Sequence, residues 1–101
     1  RALDLATLDD ASLQVDAIPA GATVLDLRSK AAYHGWHADG ALYLDFADAV
    51  RAYPSFDRSQ RYALYCEFGL KSAHLAELMR AAGFDAVSVR GGAGALRKRR
   101  A

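Results

Sequence analysis

The sequence predicts a single α/β domain built on a mostly parallel sheet. Apolar runs of strand length alternate along the chain with segments whose apolar residues recur at helical spacing. The segment Tyr62–Tyr65 is apolar throughout, which is typical of a strand buried on both faces of a parallel sheet. The run ends at Cys66, and a helical segment follows after a short loop that contains Gly69. The carboxyl end of such a strand is where open α/β folds place their chemistry.

The first third of the chain supplies two predicted strands and a short helix. Leu13–Val15 is predicted as a short edge strand, and Pro19–Gly21 as the turn that ends the lead-in. Thr23–Leu27 is mostly apolar and is predicted as a buried strand. Ser29 is expected to cap a short helix over residues 30–33, which Gly35 brings to an end.

The middle of the chain supplies a third strand and a second short helix before Tyr62–Tyr65. Ala41–Leu44 is predicted as a strand. Asp45–Tyr53 is predicted as an amphipathic helix, and Pro54 is expected to prevent its continuation. Ser55–Arg61 is polar and is predicted to connect this helix to the strand Tyr62–Tyr65.

The last third supplies the helix after Cys66, a fifth strand and a final short helix. Ser72 is a favourable N-cap residue and is predicted to begin the first of these helices, which Gly83 ends. Phe84–Val89 is predicted as the last strand, and residues 93–100 as a final helix. In the helix after Cys66 three polar residues at three-residue spacing form a stripe expected to lie outside the buried faces: His74, Glu77 and Arg80.

Length and composition describe an ordinary soluble globular domain. The 101 residues are 52% hydrophobic and 25% charged, which suffices for one core. The formal net charge of +1 demands neither a nucleic acid nor a membrane as partner, and no apolar run is long enough to span a bilayer. One cysteine suits a reducing compartment, so a cytoplasmic location is expected. The chain begins at Arg1 rather than Met, so we expect residues 1–101 to be one domain of a longer protein.

Cys66 is the leading candidate for a catalytic residue. Its predicted position places the sulfur beside the unpaired N–H groups of a loop and of the first helical turn, and the helix dipole adds positive potential there. Such surroundings favour a thiolate, and Lys71 adds a cation nearby. Any anion built on the sulfur, including a persulfide, would be held by the same donors. The alternative is a buried structural cysteine, which needs neither the loop nor the cap that follows.

Other polar residues are assigned structural roles. Asp26 and Arg28 lie two apart on a strand, so their side chains leave the same face, and an ion pair is favoured over direct catalysis. His34 and His37 suggest a metal site, but too few further ligands complete a set. His37 is instead expected to anchor the loop before the next strand, and Trp36 to pack.

Two charged clusters are expected to be solvated. Four carboxylates in the lead-in are interpreted as an exposed face rather than a metal site: Asp4, Asp9, Asp10 and Asp16. The basic tail Arg97–Arg100 has the charge to contact RNA phosphates, but a charge run at a chain end is more often simply solvated.

The chain resembles rhodanese-like sulfurtransferase domains over residues 20–97. Four features in that family's order carry the resemblance: Val24–Arg28 with its Asp-x-Arg, His37–Ala41, the active loop Cys66–Ser72, and the glycine motifs Gly83-Phe84 and Gly91-Gly92. Four positions depart from the pattern, namely Ala38 and Asp39 in place of Ile and Pro, Lys71 where Arg is common, and Leu96 in place of a frequent Trp. Lys71 keeps the charge but lacks the planar fork for bidentate recognition of thiosulfate.

The resemblance implies a three-layer fold with a sheet of about five strands and helices on both faces. It also implies that Cys66 is a nucleophile that carries a persulfide and needs no metal or organic cofactor. The residues expected to cradle the terminal sulfur through their backbone N–H groups are Glu67, Phe68, Gly69, Leu70, Lys71 and Ser72, with Asp26 and Arg28 in support. The donor is expected to be a cysteine desulfurase persulfide or thiosulfate.

Within the family, the Cys66–Ser72 loop is most similar to that of domains fused to tRNA 4-thiouridine sulfurtransferases that also serve thiamine thiazole synthesis. A tRNA or a sulfur-carrier protein is then the expected acceptor. Alternatives are a stand-alone thiosulfate sulfurtransferase, a non-catalytic binding module, and a cysteine phosphatase or arsenate reductase. The last is disfavoured because Ser72 stands where a Cys-x5-Arg loop needs arginine, and because the loop is one residue shorter than in rhodanese-fold phosphatases.

Overall fold

The structure, a computed structural model, describes residues 12–100 and contains a five-stranded sheet in which every pair of neighbours is parallel. The strands are β1 (Gln14–Val15), β2 (Thr23–Asp26), β3 (Leu42–Tyr43), β4 (Arg61–Tyr65) and β5 (Asp85–Val89). Their order is β1-β5-β4-β2-β3, so the strand that leads to Cys66 is the central one. The predicted α/β class and the five predicted strands are confirmed.

Four α-helices connect or follow these strands in the described part of the chain. They are α1 (Lys30–Gly35), α2 (Phe46–Ala52), α3 (Leu70–Ala81) and α4 (Gly92–Arg100). The Ser29 hydroxyl accepts a hydrogen bond from the N–H of Ala32 at 3.1 Å, as predicted for the N-cap of α1. Pro54 does not end the segment abruptly, because one turn of 3-10 helix (Tyr53–Ser55) follows α2. None of these helices is long and apolar enough to cross a membrane.

Side chains alternate along the strands and build one core on each face of the sheet. Leu25, Tyr62 and Leu64 face α2 and α3, where they pack against Ala49, Leu75 and Met79. Val24, Ala63, Tyr65 and Val87 face the other side, where they pack with Tyr33 of α1 and with Ala93 and Leu96 of α4. The three-layer arrangement with helices on both faces is confirmed.

Helix α3 differs from the prediction at its start and in its buried surface. It begins at Leu70, because Gly69 adopts a left-handed backbone (φ = +99°) and accepts the N–H of Ala73 at 3.2 Å. Ser72 therefore lies in the first turn and is not the N-cap. Glu77 is 1% exposed rather than solvated, because α3 packs against the sheet and α2 together. His74 is half-buried, with its ring 6.1 Å from that of Phe46.

The end of α3 and the charged residues near both ends of the described chain agree with the prediction. Gly83 follows α3 with φ = +95° and donates its N–H to Arg80 O at 3.0 Å, as expected of a residue that ends a helix. Asp16 is exposed and pairs with Arg90 at 2.9 Å. The other three carboxylates of the predicted solvated face, Asp4, Asp9 and Asp10, lie outside the described residues. On α4 the side chains of Arg97, Lys98 and Arg99 are exposed.

Candidate active site

Cys66 lies at the carboxyl end of β4, at the inner end of an open cavity of about 650 Å³. Cys66 is 4% exposed and belongs to the core on the α2–α3 face. The cavity lining is mostly apolar and comes from the β2–α1 connection, the start of α2 and the loop after β4. Cys66 is thus buried and yet borders an open cavity.

Two backbone N–H groups donate hydrogen bonds to the sulfur. The N–H of Gly69 lies 3.2 Å from Cys66 Sγ, and the N–H of Ser72 lies 3.3 Å from it. The Ser72 hydroxyl oxygen lies 3.4 Å from the same sulfur. Both donors belong to the loop and first turn of α3, where N–H groups have no partner within the helix. The arrangement stabilises negative charge on the sulfur.

Two of the six N–H groups predicted to form the cradle therefore contact Sγ itself. The role of the remaining four towards a terminal persulfide sulfur stays a prediction. The side chains divide into two groups. Ser72 is fully buried, whereas Glu67, Phe68, Leu70 and Lys71 are exposed along the loop and line the cavity. The ammonium of Lys71 lies 5.7 Å from the centre of the Phe46 ring, at the cavity wall.

The turn between β5 and α4 packs against the active loop at backbone contact. The N–H of Ala93 donates to Cys66 O at 2.9 Å. Gly92 has φ = +70°, and a Cβ placed on it would lie 2.4 Å from Cys66 O and 2.5 Å from Glu67 O. Only glycine leaves room for this approach. The glycine motif Gly91-Gly92 therefore lets the turn before α4 pack directly against the backbone of the active loop.

Asp26 and Arg28 form the predicted ion pair. Arg28 Nη2 lies 2.8 Å from Asp26 Oδ2, and the backbone N–H of Arg28 donates to Oδ1 at 3.0 Å. The hydrogen bond that Arg28 donates to Asp26 is the main reason why the pKa of the Arg28 guanidinium is raised, whereas burial alone would lower it. Arg28 also donates to Trp36 O and lines the cavity. Asp26 itself is fully buried on the face of the sheet opposite Cys66. The pair therefore acts on the site through Arg28, which it holds in place at the wall of the cavity.

Tyr65 completes this network and was not found by sequence reasoning. Its hydroxyl donates to Asp26 Oδ2 at 2.6 Å and accepts the N–H of Ala38 at 3.0 Å. Burial, together with the hydrogen bond to Asp26, raises the pKa of Tyr65 well above its ordinary value. A tyrosine at the end of the buried strand, directly before the cysteine, was the available signal. Ser88, whose hydroxyl contacts that of Ser72, was also missed.

Of the two histidines considered for a metal site, His34 lies in the last turn of α1 and His37 lies in the loop between α1 and β3. The His37 ring stacks on Tyr33 with centroids 3.8 Å apart, and its Nδ1 lies 2.8 Å from Tyr33 O. This contact agrees with the predicted anchoring role. Trp36 is half-buried beside Tyr65 and beneath Arg97, as predicted for a packing residue. Among residues 12–100 no three His, Cys, Asp or Glu side chains come together in a group able to hold a metal ion.

The geometry defines a class of α/β domain in which a cysteine on an anion-binding loop follows the central parallel strand. Residues 7–98 match the family model described as "Rhodanese-like domain". The chain belongs to this family, as the resemblance predicted.

The chain is similar to parts of two tRNA sulfurtransferases. It is 33% identical over 78 residues to that of Pyrobaculum aerophilum, covering 77% of this chain and 16% of the relative. It is 34% identical over 84 residues to that of Thermoplasma acidophilum, covering 83% of this chain and 17% of the relative. The chain thus spans about a sixth of each relative. A rhodanese-related protein from Thermoplasma volcanium has the same fold, with a TM-score of 0.70 and 23% identity over 77% of this chain and 79% of that one.

Substituting Gly92→Ala is expected to destabilise the domain by at least about 2 kcal/mol, because it adds left-handed strain and a clash with two carbonyl oxygens. The free energy of unfolding in urea measures this effect. Gly94→Ala is the matched control, because its Cβ meets nothing within 4 Å. Since Gly94 lies inside α4, alanine there is expected to stabilise the domain by up to about 1 kcal/mol. Equal effects of the two substitutions would contradict the close packing of Gly92 against the loop.

Substituting Tyr65→Phe is expected to cost about 2 kcal/mol, because it removes one hydrogen bond to the buried carboxylate of Asp26 and leaves the buried N–H of Ala38 without its acceptor. Urea unfolding across pH checks this. The pKa of Tyr65 is raised in the folded state, so its stabilising contribution is complete below pH about 10, where unfolded tyrosine ionises, and is lost as pH rises further. Tyr62→Phe is the control, since that hydroxyl is only partly buried and bonds one carbonyl. A smaller effect at Tyr65 than at Tyr62 would refute the network.

Proposed function

We propose that this domain is a sulfurtransferase in which Cys66 carries sulfane sulfur as a persulfide. The observation that carries the proposal is a single sulfur that receives two backbone N–H groups and faces an open cavity. A structural cysteine needs neither the donors nor the cavity. Membership of the rhodanese-like family and similarity to proteins named tRNA sulfurtransferase support the proposal.

In the proposed cycle the Cys66 thiolate attacks the sulfane sulfur of a donor. A new S–S bond forms on Cys66 while the S–S bond of the donor breaks, and the electron pair leaves with the donor as a thiolate, or as sulfite when the donor is thiosulfate. The terminal sulfur on Cys66 is then an anion for the loop N–H groups to bind. An acceptor takes this sulfur in the second step. Because the chain contains one cysteine, release through a disulfide would need a thiol from another domain or protein.

We propose tRNA thiolation as the use of this sulfur, since both relatives bear the name tRNA sulfurtransferase. Formation of 4-thiouridine is the specific reaction that the loop resemblance indicates. Thiamine thiazole synthesis through a sulfur-carrier protein is the second route, supported by the resemblance alone. Neither route requires a metal or organic cofactor on this domain.

The mouth of the cavity favours a protein donor over thiosulfate. Phe68 and Leu70 are 79% and 81% exposed at the rim of the cavity. Apolar side chains give a small anion no favourable contact, whereas a protein surface can bury them. The ionic side chains of the cavity lining balance in formal charge, Arg28 and Lys71 against Asp45 and Glu67, so the cavity offers no net positive charge to attract a small anion. We propose that a protein persulfide, such as that of a cysteine desulfurase, contacts this rim through apolar side chains of its own.

Substituting Cys66→Ser is expected to abolish persulfide formation, because no other thiol in the chain can carry the sulfur. The measurement is intact mass after exposure to thiosulfate or to a cysteine desulfurase with cysteine. The wild-type protein should gain the mass of one sulfur atom, and a reductant should remove it. Labelled sulfur retained by the serine variant would refute the proposal. Turnover of an aryl phosphate would favour the phosphatase alternative, and a wild-type protein that never gains sulfur would favour the binding module.

Substituting Phe68→Ala or Leu70→Ala is expected to slow sulfur loading from a protein donor by about tenfold, which corresponds to about 1.4 kcal/mol of lost contact. Loading from thiosulfate should change little, because a small anion passes the rim without touching it. Leu42→Ala is the matched control, since Leu42 is 56% exposed and does not line the cavity. An equal loss with both donors, or no loss with either, would contradict a protein-binding rim.

A further inference from the structure

Two buried hydroxyl groups lie behind the sulfur of Cys66. Ser72, in the first turn of α3, and Ser88, on β5, are both fully buried, and their oxygen atoms are 2.7 Å apart. Ser72 Oγ also lies 3.4 Å from Cys66 Sγ and 3.3 Å from the carbonyl oxygen of Gly69. Ser72 therefore has three hydrogen-bond neighbours but only one proton to donate.

The Ser88 hydroxyl determines where the protons go. Within residues 12–100 the Ser72 oxygen is its hydrogen-bond partner, and no second acceptor for Ser88 is within reach. A buried hydroxyl that donates to no acceptor is costly, so Ser88 donates its proton to Ser72 Oγ. The proton of Ser72 is then left for either the sulfur or the Gly69 carbonyl.

The charge on the sulfur decides between these two acceptors. A neutral thiol donates its own proton to Ser72 Oγ, and Ser72 then donates to Gly69 O. A thiolate has no proton to give and attracts the Ser72 proton, because a hydrogen bond to a charged acceptor is the stronger one. The Ser72 hydroxyl thus rotates from Gly69 O to Sγ as the sulfur becomes charged, while Ser88 remains a donor to Ser72 in both states.

We propose that Ser88 is a positioning residue for the Cys66 nucleophile. By donating to Ser72 Oγ, Ser88 polarises the Ser72 hydroxyl and strengthens the hydrogen bond that this hydroxyl gives to the thiolate. Ser88 does not line the cavity, so it acts only through Ser72. The proposal rests on the proposed function in one respect, namely that the Cys66 thiolate is the attacking group in sulfur transfer.

The test is a double-mutant cycle read by the rate at which iodoacetamide alkylates Cys66, followed by intact mass at one constant pH well below about 8.5, where a free thiol is mostly protonated and the rate follows the thiolate fraction. This rate measures the nucleophilicity of the sulfur whether or not the domain transfers sulfur, so failure here is distinct from failure of the proposed function. Ser72→Ala should slow alkylation about tenfold or more, since a charge-assisted hydrogen bond is lost. Ser88→Ala should slow it about two- to fivefold, the effect expected of losing the polarisation alone. In the Ser72→Ala background, Ser88→Ala should have no further effect.

Two control variants separate positioning from general loosening of β5. Ser88→Thr keeps the hydroxyl and should retain the wild-type rate. Val87→Ala removes apolar contacts on the opposite face and should lower stability without changing the alkylation rate. In turnover with thiosulfate, Ser88→Ala should lower kcat and leave KM unchanged. A Ser88→Ala protein that is folded by circular dichroism and alkylated at the wild-type rate would overturn the proposal. The proposal would also be overturned if Ser88→Ala slowed alkylation equally in the wild-type protein and in the Ser72→Ala variant.

Discussion

The hydrogen bonds from the N–H groups of Gly69 and Ser72 to Cys66 Sγ are the contact around which the site is arranged. The sulfur is nearly fully buried, and a buried anion is unstable unless donors surround it. The two N–H groups lie 3.2 and 3.3 Å away, and the amino end of a twelve-residue helix adds positive potential. Because these two donors belong to the backbone, they need no rearrangement to bind the charge proposed for the sulfur.

The sheet on either side of β4 holds this loop in shape. On the β5 side, Gly92 allows the turn into α4 to approach the loop, and the N–H of Ala93 donates to Cys66 O. On the β2 side, the N–H of Leu27 donates to Tyr65 O at 2.9 Å, and Tyr65 in turn donates to Asp26. The loop is therefore fixed from two neighbouring strands, and the cavity opens in the direction that neither of them covers.

Much of this arrangement follows from local sequence patterns. The strands, the Ser29 cap and the position of Cys66 after a buried strand were predicted correctly, because each depends on residues close together in the chain. Ser72 was misassigned because its suitability as a cap was judged by residue type, whereas the left-handed turn at Gly69 begins the helix earlier. Tyr65 and Asp26 are 39 residues apart and are brought together by the register of β2 and β4. Ser72 and Ser88 are 16 residues apart and are brought together by the packing of α3 against β5.

If Cys66 carries a persulfide, the loop N–H groups are expected to bind its terminal anion. The most direct measurement is a pair of ¹H–¹⁵N correlation spectra, recorded before and after loading with a sulfane-sulfur donor and reversed by reductant. The amide protons of residues 67–72 are expected to shift most, with Gly69 and Ser72 among the most strongly affected, and reductant is expected to restore the first spectrum. A loaded protein in which these amides do not move, or in which the shifts centre elsewhere in the sheet, would contradict this expectation.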